Sequence, residues 1–357
     1  MSIWTGLALP VFLAFVELGA RIYRYRRFGL PFKSRVFAEY PYHRFVEKAD
    51  PPFHFRLKKG YRSPSVNINR HGMRGPELSS RPGVKRALFL GESHLFGVKL
   101  FHERDLWSFR LKRLLDEEAE SNWEIMNFSF PGYNTHQYRA FFEHELVGLK
   151  PDFLVLSIGA NDITQARMFG EKWYPGMTYP FDFIFALARK SHWWEKILNR
   201  SCFYFLWRRK SKEAQRSAAF KTRAGFKKDE CFHSAFTNME CIARGAQACG
   251  IKVVFMPVFP AYELLMSSED QRKITSIQSN WRQYVDGDGP PLFEFFERMK
   301  SELSPRLNMP VIDLRPRFWR HLDRFTLYFD LYHLNPKGMR LLAEYLYEEI
   351  EAINFWK

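Results

Sequence analysis

Arg86-Ala-Leu-Phe-Leu-Gly-Glu-Ser-His94 is an apolar run that stops at a glycine and is followed two residues later by a serine. A short, continuously apolar run reads as a strand buried on both faces, because a strand with one wet face alternates instead. Where such a strand ends the chain leaves the sheet, and Ser93 can point its hydroxyl out of the sheet edge. Runs of the same kind recur at 125–130, 153–158 and 251–259, with a shorter fifth at 311–314. Between them lie helical spacings: Leu106, Phe109, Leu111, Leu114 and Leu115 within 102–120, and a second period over 135–149. A last helix opens at Pro336, where a first-turn proline is compatible with initiation, and shows an apolar face of Met339, Leu341, Leu342, Tyr345, Leu346 and Ile350. Strands separated by helices predict a three-layer α/β/α domain on a mostly parallel five-stranded sheet.

The chain has 357 residues, 46% of them apolar, enough for one substantial domain with extensions. Its net charge of +15 is unevenly placed. Residues 21–86 carry +13 and residues 185–228 carry +11, so the remainder is net acidic. Basic stretches of this kind attract anionic lipid, acidic polysaccharide or nucleic acid. Nucleic acid is disfavoured, since no Cys/His zinc spacing, recognition helix or aromatic RNA-binding motif is present. The cysteines are Cys202, Cys231, Cys241 and Cys249. The last three fall on one predicted helix, roughly 12 to 15 Å apart in succession at about 1.5 Å per residue, beyond disulfide reach.

Residues 3–20 are apolar apart from Thr5, Glu17 and the breaker Pro10, and four arginines follow within 21–27. Residues 1–27 are therefore expected to form a membrane anchor of marginal length. A buried or in-plane amphipathic helix is the alternative that Pro10 and Glu17 favour. The arginine flank favours retaining the C-terminal side in the cytoplasm. Residues 28–84, rich in Pro, Arg and aromatics, read as a mostly irregular basic extension over the core. The strand-and-helix domain is expected over 85–355, with an aromatic and basic insertion at 164–229 placed to form a lid or simply to pack onto the domain.

In an open parallel sheet, ligands gather beyond the carboxyl ends of the strands. Ser93 follows the first predicted strand, Gly132 the second and Asn161 the third, so all three converge on one edge. A serine hydroxyl needs a neighbouring base to take its proton. His333 in Asp330-Leu-Tyr-His333 is the candidate, with Asp330 placed to orient it if the four residues form a helical turn. Acyl transfer also creates an oxyanion. The Asn161 side-chain amide and the backbone N–H groups of Ser93 and Gly132 are the candidate donors. The sequence lacks the Gly-Lys-Ser/Thr ending of a phosphate loop and the His-Glu-x-x-His pattern of a zinc hydrolase.

Gly91-Glu-Ser93, Phe130-Pro-Gly-Tyr-Asn134, Gly159-Ala-Asn-Asp162 and Asp330-Leu-Tyr-His-Leu-Asn335 resemble, in order, the four blocks of the SGNH (GDSL-type) hydrolases. The resemblance implies a flavodoxin-like fold, a Ser93–His333–Asp330 triad and an oxyanion hole of Ser93, Gly132 and Asn161, with no metal or organic cofactor. Val66-Asn-Ile-Asn-Arg-His-Gly-Met-Arg-Gly-Pro-Glu77 and Glu17-Leu-Gly-Ala-Arg21 resemble the leader of bacterial membrane-anchored members. Those members act outside the cytoplasm on acylated glycans or lipids, an expectation opposed to the arginine flank. Two departures stand out: Glu92 where the family usually has Asp, and His94 directly after the serine.

The activity expected is therefore carboxylester hydrolysis on an acylated glycan or lipid. An O-acyltransferase passing the same acyl group to a sugar hydroxyl is one alternative. A glycan- or membrane-binding protein on an inactive fold is the other, and it leaves Asp330 and His333 in register without a reason.

Overall fold

A computed structural model gives the fold and describes residues 3–28, 42–63, 65–119, 122–177, 198, 201–204, 225–278 and 280–356. Its centre is a sheet of four parallel strands, β3 (Lys85–Gly91), β4 (Trp123–Ser129), β5 (Phe153–Ser157) and β6 (Lys252–Phe255), in the order β4-β3-β5-β6. Both faces of these strands are apolar, as the unbroken runs predict. Leu88, Leu90, Leu154, Leu156 and Phe255 enter one core, while Ala87, Phe89, Phe153, Val155 and Val254 enter the other. The first core is closed by Phe232, Met239 and Ile242 of the helix Lys228–Ala248. The second is closed by Leu111 and Leu115 of Trp107–Ala119 and by Leu342 and Leu346 of Pro336–Ala352. Burying a large apolar side chain stabilises by about 1.5–3 kcal/mol, so two filled faces hold the layers together.

The expected fifth strand is absent. Val311 makes only an isolated parallel bridge to Phe255, and the chain then turns, with Asp313 accepting from the Arg315 amide and pairing with its guanidinium. The predicted helix over 102–120 is also divided. A 3-10 turn at Glu103–Asp105 precedes the helix Trp107–Ala119, because Leu106 is extended.

The extension ahead of the sheet is less irregular than expected over its described part. Strands β1 (Val46–Lys48) and β2 (Phe55–Leu57) pair antiparallel, and Phe45, Phe55, Leu57, Val66 and Ile68 are buried in the first core. Arg74, almost wholly buried, donates to the carbonyls of Phe96, Gly97 and Ser65, tying the extension to the segment just past Ser93.

The N-terminal segment forms the helix α1 (Ile3–Phe28), with Pro10 inside it. Among the described residues no helix is long and apolar enough to cross a membrane, so the transmembrane reading of 1–27 gains no support. The insertion starts later than expected, because 164–169 belong to the helix Ala160–Phe169. Its Phe181–Phe185 and His192–Trp194 aromatics and most of its basic cluster lie outside the described residues. All four cysteines are free thiols.

Candidate active site

Three loops at the carboxyl edge of the sheet build the site. The first is the turn from β3 into the short helix Ser93–Phe96. Gly91 is required there: a Cβ would lie 2.5 Å from Leu95 Cδ1 and 2.7 Å from Leu95 Cβ, so a side chain would force the helix off the strand end. Ser93 opens that helix, where no preceding carbonyl is in place to take its backbone N–H.

The second loop follows β4. Gly132 adopts φ +87, a left-handed conformation open to glycine at little cost. Asn134 then caps the helix Thr135–Phe141 through a capping box with Gln137. The third loop follows β5, with Gly159 at φ +110 preceding the helix Ala160–Phe169. Side chains lock these two loops together. The Asn161 amide donates to the Tyr133 carbonyl at 2.7 Å, and Gln165 donates to the Gly132 carbonyl at 3.0 Å. Asp162 accepts from the Thr135 amide at 2.9 Å and its hydroxyl at 2.6 Å. Burial pushes the Asp162 carboxyl up to about 6, against those two hydrogen bonds.

His333 comes from the other end of the chain. Its Nε2 lies 2.9 Å from Ser93 Oγ, and its Nδ1 lies 2.8 and 2.9 Å from the two Asp330 oxygens. The expected helical turn over 330–333 is not formed. The segment is a tight bend, closed by the Tyr328–Leu334 bridge and by the Phe329 amide donating to the His333 carbonyl at 2.7 Å. Asp330 Oδ1 accepts the Tyr332 and His333 amides, both at 3.0 Å. The carboxylate thus caps the bend and orients the imidazole at once.

Three neighbours of this cluster carry no signal strong enough to assign from sequence. Lys99, at φ +69, places its ammonium on Asp330 Oδ2. Burial works against the Asp330 charge, but His333 and Lys99 hold its carboxyl well below the usual carboxylate range. Glu92 is buried, and its Oε1 accepts the amides of Gly159 at 2.8 Å and Asn161 at 3.0 Å. It clamps the Asn161 loop to the residue beside Ser93. Burial, with Asp162 nearby, pushes the Glu92 carboxyl well up, while the amides pull the other way. His94, also buried, sits 2.8 Å from Ser157 Oγ and edge-on to Phe259. Burial, aided by His333, lowers it to about 3, so it is a neutral strut between the Ser93 turn and β5 at ordinary pH. The longer Glu and the histidine, two departures from the family pattern, are thus both accommodated as braces.

The arrangement can take a proton from a serine hydroxyl and direct amide donors at a carbonyl oxygen close to it. Among the described residues no group of three or more His, Cys, Asp or Glu side chains could hold a metal ion.

The profile described as the GDSL-like Lipase/Acylhydrolase family matches residues 89–341. Solved structures similar to the chain include a GDSL-like lipase from Bacteroides thetaiotaomicron, at 14% identity over 75% of this chain and 89% of that one, with a TM-score of 0.41. An acetyl xylan esterase matches at 14% identity over 74% and 99%, with a TM-score of 0.45. The lipase/acylhydrolase from Enterococcus faecalis matches at 15% identity over 75% and 96%, with a TM-score of 0.43. No curated protein matches the chain.

Proposed function

This ester hydrolase belongs to the GDSL-like lipase/acylhydrolase family, and from that premise we propose that Ser93 is its nucleophile, His333 its general base and Asp330 the residue that orients the base. The observation that carries the reading is the unbroken line from Asp330 through both imidazole nitrogens to Ser93 Oγ, each step between 2.8 and 2.9 Å. Ser93 Oγ attacks the acyl carbonyl as its proton passes to Nε2. The Ser93 and Gly132 amides and the Asn161 side chain stabilise the tetrahedral oxyanion, each such donor being worth roughly 3–4 kcal/mol in the transition state. Asn161 Nδ2 spends one hydrogen on the Tyr133 carbonyl, which fixes the direction of the other. The imidazolium returns the proton to the departing alkoxide, leaving an acyl-enzyme that water then resolves by the same route.

An acyl ester of a glycan or a lipid is the substrate class that fits. The test offers the full-length chain p-nitrophenyl acetate with and without a sugar acceptor, beside an O-acetylated polysaccharide and a short-chain glyceride. Free carboxylic acid in proportion to alcohol released supports hydrolysis. Acyl-sugar forming at the expense of free acid would identify a transferase instead, and no turnover on any ester would sink the reading.

Glu92 provides a separate check on the oxyanion loop. Glu92→Ala strands the buried amides of Gly159 and Asn161, at about 1–3 kcal/mol each, and frees Asn161 to drift. A misplacement of about 1 Å costs on the order of 10²-fold in rate. Glu92→Gln keeps a carbonyl oxygen for the same amides. The expected result is a kcat loss near 10²-fold with lowered urea stability for alanine, and a loss within about tenfold for glutamine. Equal losses for the two would show that the clamp does not act through those amides.

A further inference from the structure

The described part of α1 has its polarity reversed. A helix on a water-soluble protein turns its apolar stripe inward and its charges outward. Here Glu17, Arg21 and Arg24 face the protein, and Arg24 is only 2% exposed. Glu17 accepts from Ser201 Oγ at 2.8 Å and from the amides of Cys202 and Phe203 at 2.9 and 3.1 Å, while Arg21 donates to it at 2.7 Å. Arg24 meets both sides, hydrogen-bonded to the Cys202 side chain and with its guanidinium 5.5 Å from the Phe101 ring centroid, two residues from Lys99. One polar face of the helix thus latches the insertion on one side and the loop behind the triad on the other.

The remaining surface is apolar and open. All eight residues from 8 to 15 are exposed, Phe12 at 63% and Phe15 at 68%. Eight consecutive positions go more than twice round a helix, so these turns are bare on every side. A protein partner or a second copy of the chain covers one face of a helix, whereas lipid surrounds it. Leu18 and Ile22 continue the apolar strip, and Phe203, on the latched segment, adds an exposed ring beside it. Exposed Tyr23, Tyr25 and Arg26 follow, the residue types that settle at the headgroup layer. The charge of 21–86 and 185–228 is strongly positive, complementary to an anionic surface. Helical residues 3–15 extend about 20 Å, short of a hydrocarbon core of about 30 Å.

We propose that α1 embeds its apolar turns in an anionic lipid bilayer while its Glu17–Arg24 face stays on the protein, holding the Ser201–Phe203 segment and the Lys99–Phe101 loop at the membrane surface. The embedding does not depend on the catalytic assignment, and its test reads binding rather than turnover. Full-length chain is floated with phosphatidylcholine vesicles containing or lacking phosphatidylglycerol, beside a Phe12→Glu/Phe15→Glu variant and a milder Phe12→Ser/Phe15→Ser variant. Turnover of a soluble ester in detergent reports that each variant is folded. The expected result is co-flotation with the anionic vesicles, reduced at least tenfold by the glutamates, less by the serines, and weaker with neutral lipid. Equal flotation with neutral vesicles, or unchanged flotation of a folded Glu variant, overturns the proposal. So does self-association in sedimentation that the glutamates abolish while no chain floats, since a second copy would then be the occupant.

Discussion

Ser93→Ala is expected to lower kcat for p-nitrophenyl acetate by on the order of 10⁴- to 10⁶-fold with thermal unfolding left nearly unchanged. Deleting one half-buried hydroxyl removes the hydrogen bond to His333 Nε2 but opens no enclosed cavity, since Ser93 is partly exposed at the helix start. The backbone that positions it stays fixed by contacts that do not involve the hydroxyl: Gly91 against Leu95, Glu92 on the Asn161 loop and His94 on Ser157. Rate and stability should therefore separate cleanly, which a structural serine would not allow. A residual rate above water is expected, because the oxyanion donors remain for a directly attacking water. The readouts are active-site-titrated kinetics and mapping of a fluorophosphonate adduct. Retention of more than a tenth of the activity, or an adduct on another residue, would sink the assignment.

Much of this was legible in the sequence because it is locally encoded. Ala87, Leu88, Phe89 and Leu90 send alternate side chains to two different cores, and only a strand apolar on both sides reads as an unbroken run. The turn glycines and the pair Asp330 and His333 are likewise short-range patterns. What was not legible depends on contacts between distant segments. Lys99 and Asp330 are 231 residues apart, and no spacing near either predicts that they touch. Glu92 reads as a longer copy of the usual aspartate, and its reach to the Gly159 and Asn161 amides appears only once β3 and β5 are side by side. The 311–314 run has strand composition, but Asp313 turns toward Arg315 and ends the pairing after one residue. In α1 the sequence shows an apolar segment interrupted by Glu17; the Ser201–Phe203 segment that receives that carboxylate lies 184 to 186 residues on.

Asp330→Asn is expected to lower kcat/KM by about 10⁴-fold, and Lys99 makes the cause testable. Asp330 Oδ1 accepts the Tyr332 and His333 amides and shares Nδ1 with Oδ2, which also holds the Lys99 ammonium. Every one of these partners is a donor. An asparagine that keeps its oxygen at the Oδ1 position must turn its NH2 toward the ammonium. Flipped, it sets the NH2 against two backbone amides and places it 2.8 Å from Nδ1, which favours the tautomer in which Nδ1 accepts and Nε2 carries the proton, so that Nε2 is lost as base. Both placements pit donor against donor at short range. Lys99→Met alone keeps the carboxylate and the working tautomer, so a loss near tenfold is expected. With its folded value well below 3.8, the Asp330 contribution to stability is complete above the unfolded value and is lost only as pH falls through the folded one. In Asp330→Asn/Lys99→Met the ammonium is gone, so the amide oxygen can face Nδ1–H and both backbone amides while its NH2 meets an apolar chain. The double variant should therefore exceed Asp330→Asn by tenfold or more, a non-additivity measured by a kcat/KM cycle across the four proteins. Additive losses would show that Lys99 exerts no control over the aspartate.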